Sequence, residues 1–291
     1  MKILLATDGS QFAEEAAWLL AHLPHAEILE LTVLYVSNIP NLHGIANSTE
    51  LAQSLQFADQ EKAKSILVHL NSIFDGANAT LTLVTGEGHV GTQIIRTAEA
   101  QKSDLIVLGA VGHSLFERMF GSTSDFVASH AKCSVLVVRP TGLRKANRPI
   151  NVCVAYDETD STLAVFGQLA QFGWGVNCKM DAVSIVSAPY TYSEIPIPFD
   201  IDEIIASRKK AIESKEIKLR ELTPVVTTQV IESSHVGDGL VQFAKENKSD
   251  VIVLGSTGGG LLSTLLLGSV SRYVLRHAAC SVWIARKNCV A

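Results

Sequence analysis

The stretch Asp250-Val251-Ile252-Val253-Leu254-Gly255-Ser256-Thr257-Gly258-Gly259-Gly260-Leu261-Leu262-Ser263-Thr264-Leu265-Leu266-Leu267-Gly268-Ser269-Val270-Ser271 holds three signals in a row. An apolar run of strand length ends in glycine, a glycine-rich turn follows, and Gly268-Ser269 opens a helical pattern. The same order occurs earlier: Ser103-Asp104, Gly109 and Gly112 recur as Ser249-Asp250, Gly255 and Gly258, 146 positions later. His89-Val90-Gly91 recurs as His235-Val236-Gly237 at the same offset. Beyond the turn the offset is 147, which brings Gly121-Ser122 onto Gly268-Ser269 and Cys133-Ser134-Val135 onto Cys280-Ser281-Val282; Asp8 matches Asp157 at 149. Self-similarity at a near-constant offset marks two copies of one folding unit. The seam Arg139–Pro149, rich in Pro, Gly and positive charge and without apolar periodicity, reads as a short solvated linker, so the domains are expected at 1–141 and 149–291.

Composition agrees with two globular units. The chain has 291 residues, 47% hydrophobic and 18% charged, with 20 Gly and 8 Pro, which excludes a disordered or collagenous protein. A net charge of −5 argues against bulk electrostatic binding of nucleic acid or an anionic membrane. The five cysteines are odd in number and form no C-x-x-C pair, so neither a disulfide framework nor a zinc knuckle is indicated. No signal-peptide core or long apolar span is read, and the expected location is the cytoplasm.

Five short apolar runs fall in each copy. The first has Lys2–Ala6, Leu31–Val36, Thr80–Thr85, Leu105–Gly109 and Ser134–Val138. The second has Asn151–Ala155, Met180–Val186, Thr227–Ile231, Val251–Gly255 and Ser281–Ala285. Between them lie helical stripes such as Ala13, Ala16, Ala17 and Leu20 at i, i+3, i+4, i+7. Strands apolar on both faces and joined by helices predict an α/β fold of two tandem doubly wound, five-stranded parallel sheets. In such sheets ligands sit where the strand order reverses, at the carboxyl ends of the first and fourth strands. Asp8 and Asp157 leave the first strands there, and Gly109 and Gly255 end the fourth. Two readings of the glycine turn stand: a tight turn packed by Leu261, Leu262, Leu265 and Leu266, or an anion cradle of backbone N–H groups completed by the helix at Gly268-Ser269.

Gly-x2-Gly-x9-Gly-Ser after the fourth strand, with Ala-x-Asp after the first, resembles the universal stress protein family, and the likeness covers nearly the whole chain twice. It implies a Rossmann-like, adenine nucleotide hydrolase-like sheet of order 3-2-1-4-5 that binds ATP or AMP, with or without Mg2+, between strands one and four. Carried over by motif, Asp157 would contact ribose, Ala155, Val186 and Leu254 would border adenine, and Gly255, Gly258, Gly268, Ser269 and Val270 would hold phosphates. The second site implied in the first copy is Ala6, Asp8, Val36, Leu108, Gly109, Gly112, Gly121 and Ser122. Two departures matter. The first copy has Gly112-x8-Gly121, one residue short, with His113, Glu117 and Arg118 inside, while the second copy has Glu158 beside Asp157, where an acid would repel an anion. The second copy is therefore ranked first.

Several other signals are discounted. Gly86-x-Gly88-x-x-Gly91 imitates a dinucleotide fingerprint but follows the third strand, so it reads as a turn. His89 and His235 read as helix-start residues, Cys133 and Cys280 as small buried hydrophobes, and Arg208-Lys209-Lys210 as a solvated face. No Gly-x4-Gly-Lys-Ser/Thr is present, and no Lys or Arg lies in the second copy's turn, which argues against rapid phosphoryl transfer. The function read here is a nucleotide-responsive binding protein for stress response or signalling, with at most slow ATP hydrolysis. The rivals are a nucleotide-free interaction scaffold and an adenylating enzyme, although the Ser-Gly-Gly-x-Asp-Ser of the latter is missing. The last strands are apolar sheet edges, so the copies are expected to pair through them and bury Trp283; a homodimer and an unidentified protein partner extend the same reasoning.

Overall fold

The computed structural model describes residues 1–25, 27–37, 48–111, 121–146, 148–187, 200–256 and 267–286. The first half runs β1 (Lys2–Thr7), α1 (Gln11–His22), β2 (Leu29–Ser37), α2 (Ser48–Ile73), β3 (Ala79–Glu87), α3 (Val90–Gln101), β4 (Leu105–Gly109), α4 (Ser122–His130) and β5 (Ser134–Val138). The second repeats it with β6 (Ile150–Ala155), α5 (Asp160–Leu169), β7 (Cys178–Val186), α6 (Ile201–Arg220), β8 (Val225–Glu232), α7 (Val236–Glu246), β9 (Val251–Gly255), α8 (Ser269–His277) and β10 (Ser281–Ala285). The strands form one ten-stranded sheet, β3-β2-β1-β4-β5-β10-β9-β6-β7-β8. Each half thus has the order 3-2-1-4-5, parallel throughout, and the halves join where β10 pairs antiparallel with β5.

Strand alternation divides the core into two layers. Ile3 and Leu5 of β1 face one side with Ala16, Ala17 and Leu20 of α1 and Ile66 and Leu70 of α2; Leu4 and Ala6 face the other with Ile94 and Ala98 of α3 and Val127 of α4. The second half adds α5 and α6 to the first layer and α7 and α8 to the second, so both layers run unbroken across the seam. Because β5 and β10 are antiparallel while corresponding helices share a face, the halves are related by a rotation about the sheet normal, and their carboxyl-terminal edges lie at opposite ends of the sheet. The side chains at the seam are apolar on both faces: Val137 pairs with Val282, Leu136 with Trp283 and Val135 with Ile284. Trp283 is 1% exposed and meets Phe172 edge to face, with ring centroids 5.4 Å apart.

The linker is tied down more firmly than its composition suggests. Arg144 pairs with Glu14 of α1 at 2.8 Å, which holds the Glu14 carboxyl below its usual range. Arg148 makes a two-pronged bond to Asp250 (2.7 and 2.8 Å), whose carboxylate also accepts from Thr141 Oγ1 and from the backbone N–H of Asn151. Arg139 is half-buried at the seam and donates to Leu275 O at 2.7 Å. Three of the linker cations therefore act as structural ties, a correction to the solvated reading. The Asp250 carboxylate is buried, and the fork of Arg148 supplies the charge and the donors it needs.

Replacing Trp283 with Ala removes the largest side chain of the seam. Chemical denaturation is expected to show a loss of about 3–5 kcal/mol, as for other buried Trp truncations.

Candidate functional site

Between β1 and β4 the strand order reverses, and beyond their carboxyl ends the first half opens a cleft of about 510 Å³. Ala6, Leu34, Val36, Val90, Ile94, Leu108 and Val111 make an apolar wall, Asp8 and Ser10 lie where the chain leaves β1, and Gly121, Ser122, Thr123 and Ser124 open α4 at the far end. Each half of this arrangement has a local cause. Asp8 Oδ1 accepts from the backbone N–H of Ser10 (2.9 Å), and Ser10 caps α1 by accepting from Ala13 N (3.3 Å), so β1 turns sharply into the helix. At the other end Ser124 Oγ donates to Gly109 O (2.9 Å), and Gly121 N donates to Ala110 O (3.0 Å), which fastens the start of α4 to the end of β4. The Gly121 cap makes no side-chain hydrogen bond, so the first-turn N–H groups of α4 carry their partial positive charge without a side-chain acceptor.

Of the residues the sequence assigns to this half, Ala6, Asp8, Val36, Leu108, Gly109, Gly121 and Ser122 all line the cleft; Gly112 lies outside the described residues, as do His113, Glu117 and Arg118. Thr7, Ser10, Ala13, Leu34, Val90, Ile94, Val111, Thr123 and Ser124 were missed. Three of them had a readable signal: Leu34 shares a strand face with Val36, and Val90 and Ile94 are one helical turn apart.

The second half builds the matching carboxyl-terminal edge, at the opposite end of the sheet, from Ala155, Asp157, Leu254, Gly255 and the head of α8 at Gly268, Ser269 and Val270; Gly258 and the four turn leucines are outside the described residues. Ser271 Oγ donates to Gly255 O (2.7 Å) and Gly268 N to Ser256 O (2.7 Å), repeating the fastening of the first half. Val186 is placed differently from Val36. Ala155 pairs with Val183 as Ala6 pairs with Leu34, so Ile185 is the counterpart of Val36 in the second half, and alternation puts Val186 on the opposite face. The aspartates also differ. Asp157 Oδ1 accepts from Thr159 N (3.1 Å), Thr159 Oγ1 (2.5 Å) and Thr162 Oγ1 (2.8 Å). In the first half the position matching Thr162 is Ala13, which carries no hydroxyl. Glu158, the acid expected to repel an anion, pairs with Arg208 of α6 at 3.5 Å, so the basic run on α6 is not wholly a solvated face.

The glycines ending β4 and β9 have a packing role. A Cβ on Gly109 would lie 2.8 Å from the backbone carbonyl carbon of Phe12, and one on Gly255 would lie 2.3 Å from Ser161 Cβ. Only glycine lets the first turn of α1 or α5 come down onto the strand end. Gly91 serves a helix contact likewise, since its Cβ would meet the Phe126 ring at 2.6 Å, and Gly88 has φ +97 in the turn before α3. His89 and His235 are the caps of α3 and α7, their Nδ1 atoms accepting from Thr92 N (3.3 Å) and Asp238 N (3.2 Å). Among the described residues no group of three or more His, Cys, Asp or Glu could hold a metal, and no helix is long and apolar enough to cross a membrane. Burial pushes the thiol of Cys133 up to about 11, those of Cys178 and Cys280 up to about 12, and that of Cys153 well above its ordinary range.

The universal stress protein family model matches the chain twice, at residues 1–139 and 150–286, and the chain belongs to that family. A universal stress protein of Methanocaldococcus jannaschii is 30% identical over 141 residues, which is 47% of this chain and 81% of the relative. One of Bacillus subtilis is 28% identical over 145 residues, 47% of this chain and 98% of the relative. The crystal structure of a universal stress protein from Archaeoglobus fulgidus superposes with a TM-score of 0.63 at 18% identity, covering 98% of this chain and 96% of that one. These single-unit relatives match about half of the chain, whereas the Archaeoglobus structure matches both halves together.

Two outcomes follow from the packing. Gly109→Ala is expected to cost about 1–3 kcal/mol in denaturant titrations, because the clash is with backbone that cannot swing aside. Cys133, Cys153, Cys178 and Cys280 are protonated at neutral pH, so at pH 8 peptide mapping should show them alkylated roughly 100-fold or more slowly than a free thiol.

Proposed function

We propose that the chain binds an adenine nucleotide, ATP or AMP, at the carboxyl ends of β1 and β4, with a second site at the matching ends of β6 and β9. The observation that carries this reading is the cleft of about 510 Å³, because three unlike surfaces line the same cavity. The apolar wall from Ala6 to Val111 suits a flat heterocycle, the Asp8 carboxylate suits sugar hydroxyls, and the start of α4 with Ser122 and Thr123 suits phosphate oxygens. In the second half Ala155, Ile185 and Leu254 take the wall, Asp157 the sugar, and Gly268, Ser269 and Val270 the phosphates; its full Gly-x2-Gly-x9-Gly-Ser spacing supports that site from sequence.

The role of these residues is to bind and orient. A carboxylate anchored by Ser10 N–H is held ready for a hydroxyl donor, and the amides of α4 lie fixed before any anion arrives. Occupancy would then be reported to a partner by the surface that the nucleotide completes.

Isothermal calorimetry with ATP and AMP tests the reading. Asp8→Ala should weaken one class of sites about ten-fold or more, as expected for losing a hydrogen bond to a charged group, and Asp157→Ala should weaken the other. Affinities and stoichiometry equal to the unaltered protein in both variants would end the assignment.

A further inference from the structure

The helices α4 and α8, which head the two candidate sites, each end on an arginine from the opposite half. Arg286 directly follows β10 and is 4% exposed, yet its Nη2 donates to Ala128 O at 2.6 Å and its Nη1 to Cys133 O at 3.3 Å, at the carbonyl end of α4. Arg139 directly follows β5, the matching position, and donates from Nη2 to Leu275 O at 2.7 Å and from Nη1 to Cys280 O at 3.5 Å, at the carbonyl end of α8. The exchange is reinforced by serines. Arg286 N donates to Ser134 Oγ (3.0 Å) and Arg139 N to Ser281 Oγ (3.1 Å). Among the described residues Arg286 has no carboxylate in ion-pair contact, and its partners are backbone carbonyls. Burial lowers its guanidinium to about 10, which leaves it cationic at neutral pH.

These bonds form a closed circuit that links the first turn of α4 with that of α8. Gly121 N, at the head of α4, donates to Ala110 O, and Ala110 N donates to Val138 O, next to Arg139; Arg139 then reaches the tail of α8. At the head of α8, Gly268 N donates to Ser256 O, and Ser256 N donates to Ala285 O, next to Arg286, which reaches the tail of α4. Asp125 of α4 and Arg276 of α8 add a direct pair at 3.2 Å.

We propose that Arg286 is the positioning residue for the anion-binding end of the first-half cleft, and Arg139 for that of the second, so that each site is completed by the other half of the chain. The inference rests on the nucleotide reading above and deepens it. A helix of nine residues is about 13 Å long, so a guanidinium on its carbonyl end fixes its axis and adds to the positive potential at its head. Unit charges at that separation, in a medium of effective dielectric about 20, change anion affinity about five- to ten-fold.

The experiment uses the full chain with one site silenced at a time. In Asp157→Ala protein, where the first-half cleft is read alone, Arg286→Gln should weaken ATP about five- to ten-fold by calorimetry, leave adenosine binding unchanged, and be largely rescued by Arg286→Lys. Arg139→Gln should leave ATP binding to that cleft within two-fold, and Asp8→Ala protein should show the reverse pattern. Arg286→Lys also retains the charge in case the glutamine variant does not fold. Equal weakening of adenosine and ATP, or no weakening of ATP by Arg286→Gln, would overturn the proposal while leaving nucleotide binding in place. No ATP binding by the unaltered chain would overturn both.

Discussion

The antiparallel contact between β5 and β10 is the constraint on which the molecule depends. Three backbone-paired positions, apolar above and below the sheet, convert two five-stranded units into one ten-stranded sheet with two continuous cores. A terminal strand rich in Val and Trp would otherwise be an exposed edge, and here each half covers the other's. The contact also sets where everything else can be. It sends the carboxyl-terminal edges of the halves to opposite ends of the sheet, lays α4 beside α8, and brings two guanidiniums to the helix carbonyls they satisfy.

At the carboxyl edge the cleft results from two pieces of local chemistry. Serine hydroxyls bond the end of the fourth strand to the start of the following helix, and the glycine closing that strand admits the helix that follows the first strand. Gly109 and Gly255 therefore do structural work at a place where a phosphate role would also favour glycine, and both demands are met by the same missing side chain. The halves are not equivalent in detail. Asp157 is held by the hydroxyls of Thr159 and Thr162, while in the first half Ala13 stands where Thr162 would. A carboxylate already accepting from two hydroxyls has fewer lone pairs to offer a further donor, so the surroundings of Asp157 differ from those of Asp8 in the residue at this helix position.

Most of the fold was legible because parallel strands buried on both faces are continuous apolar runs, and the repeat supplied each run twice. Leu105–Gly109, Ser134–Val138, Val251–Gly255 and Ser281–Ala285 agree with the structure residue for residue. β2 runs longer than its apolar core, ending at Ser37, since hydrogen bonding to β3 continues past Tyr35, its last buried side chain. The cleft was legible where a residue type announces itself, as Asp8 and Gly121 do. It was illegible where register decides, because Val36 and Val186 look alike in sequence but face opposite sides of their strands. The linker arginines were misread for a related reason. Composition describes a segment's own preference for water, whereas Asp250, Glu14 and the carbonyl of Leu275 are partners supplied by distant chain.

The order β3-β2-β1-β4-β5-β10-β9-β6-β7-β8 reads the same from either end once the repeat is taken into account. An assembly of two identical polypeptides with that symmetry receives every substitution twice, once on each side of its axis. Joining the copies in one chain removes that obligation. A loop can shorten before α4 and keep its length before α8, or Ala13 can stand in one half where Thr162 stands in the other, so selection can tune the two halves separately inside a shared frame.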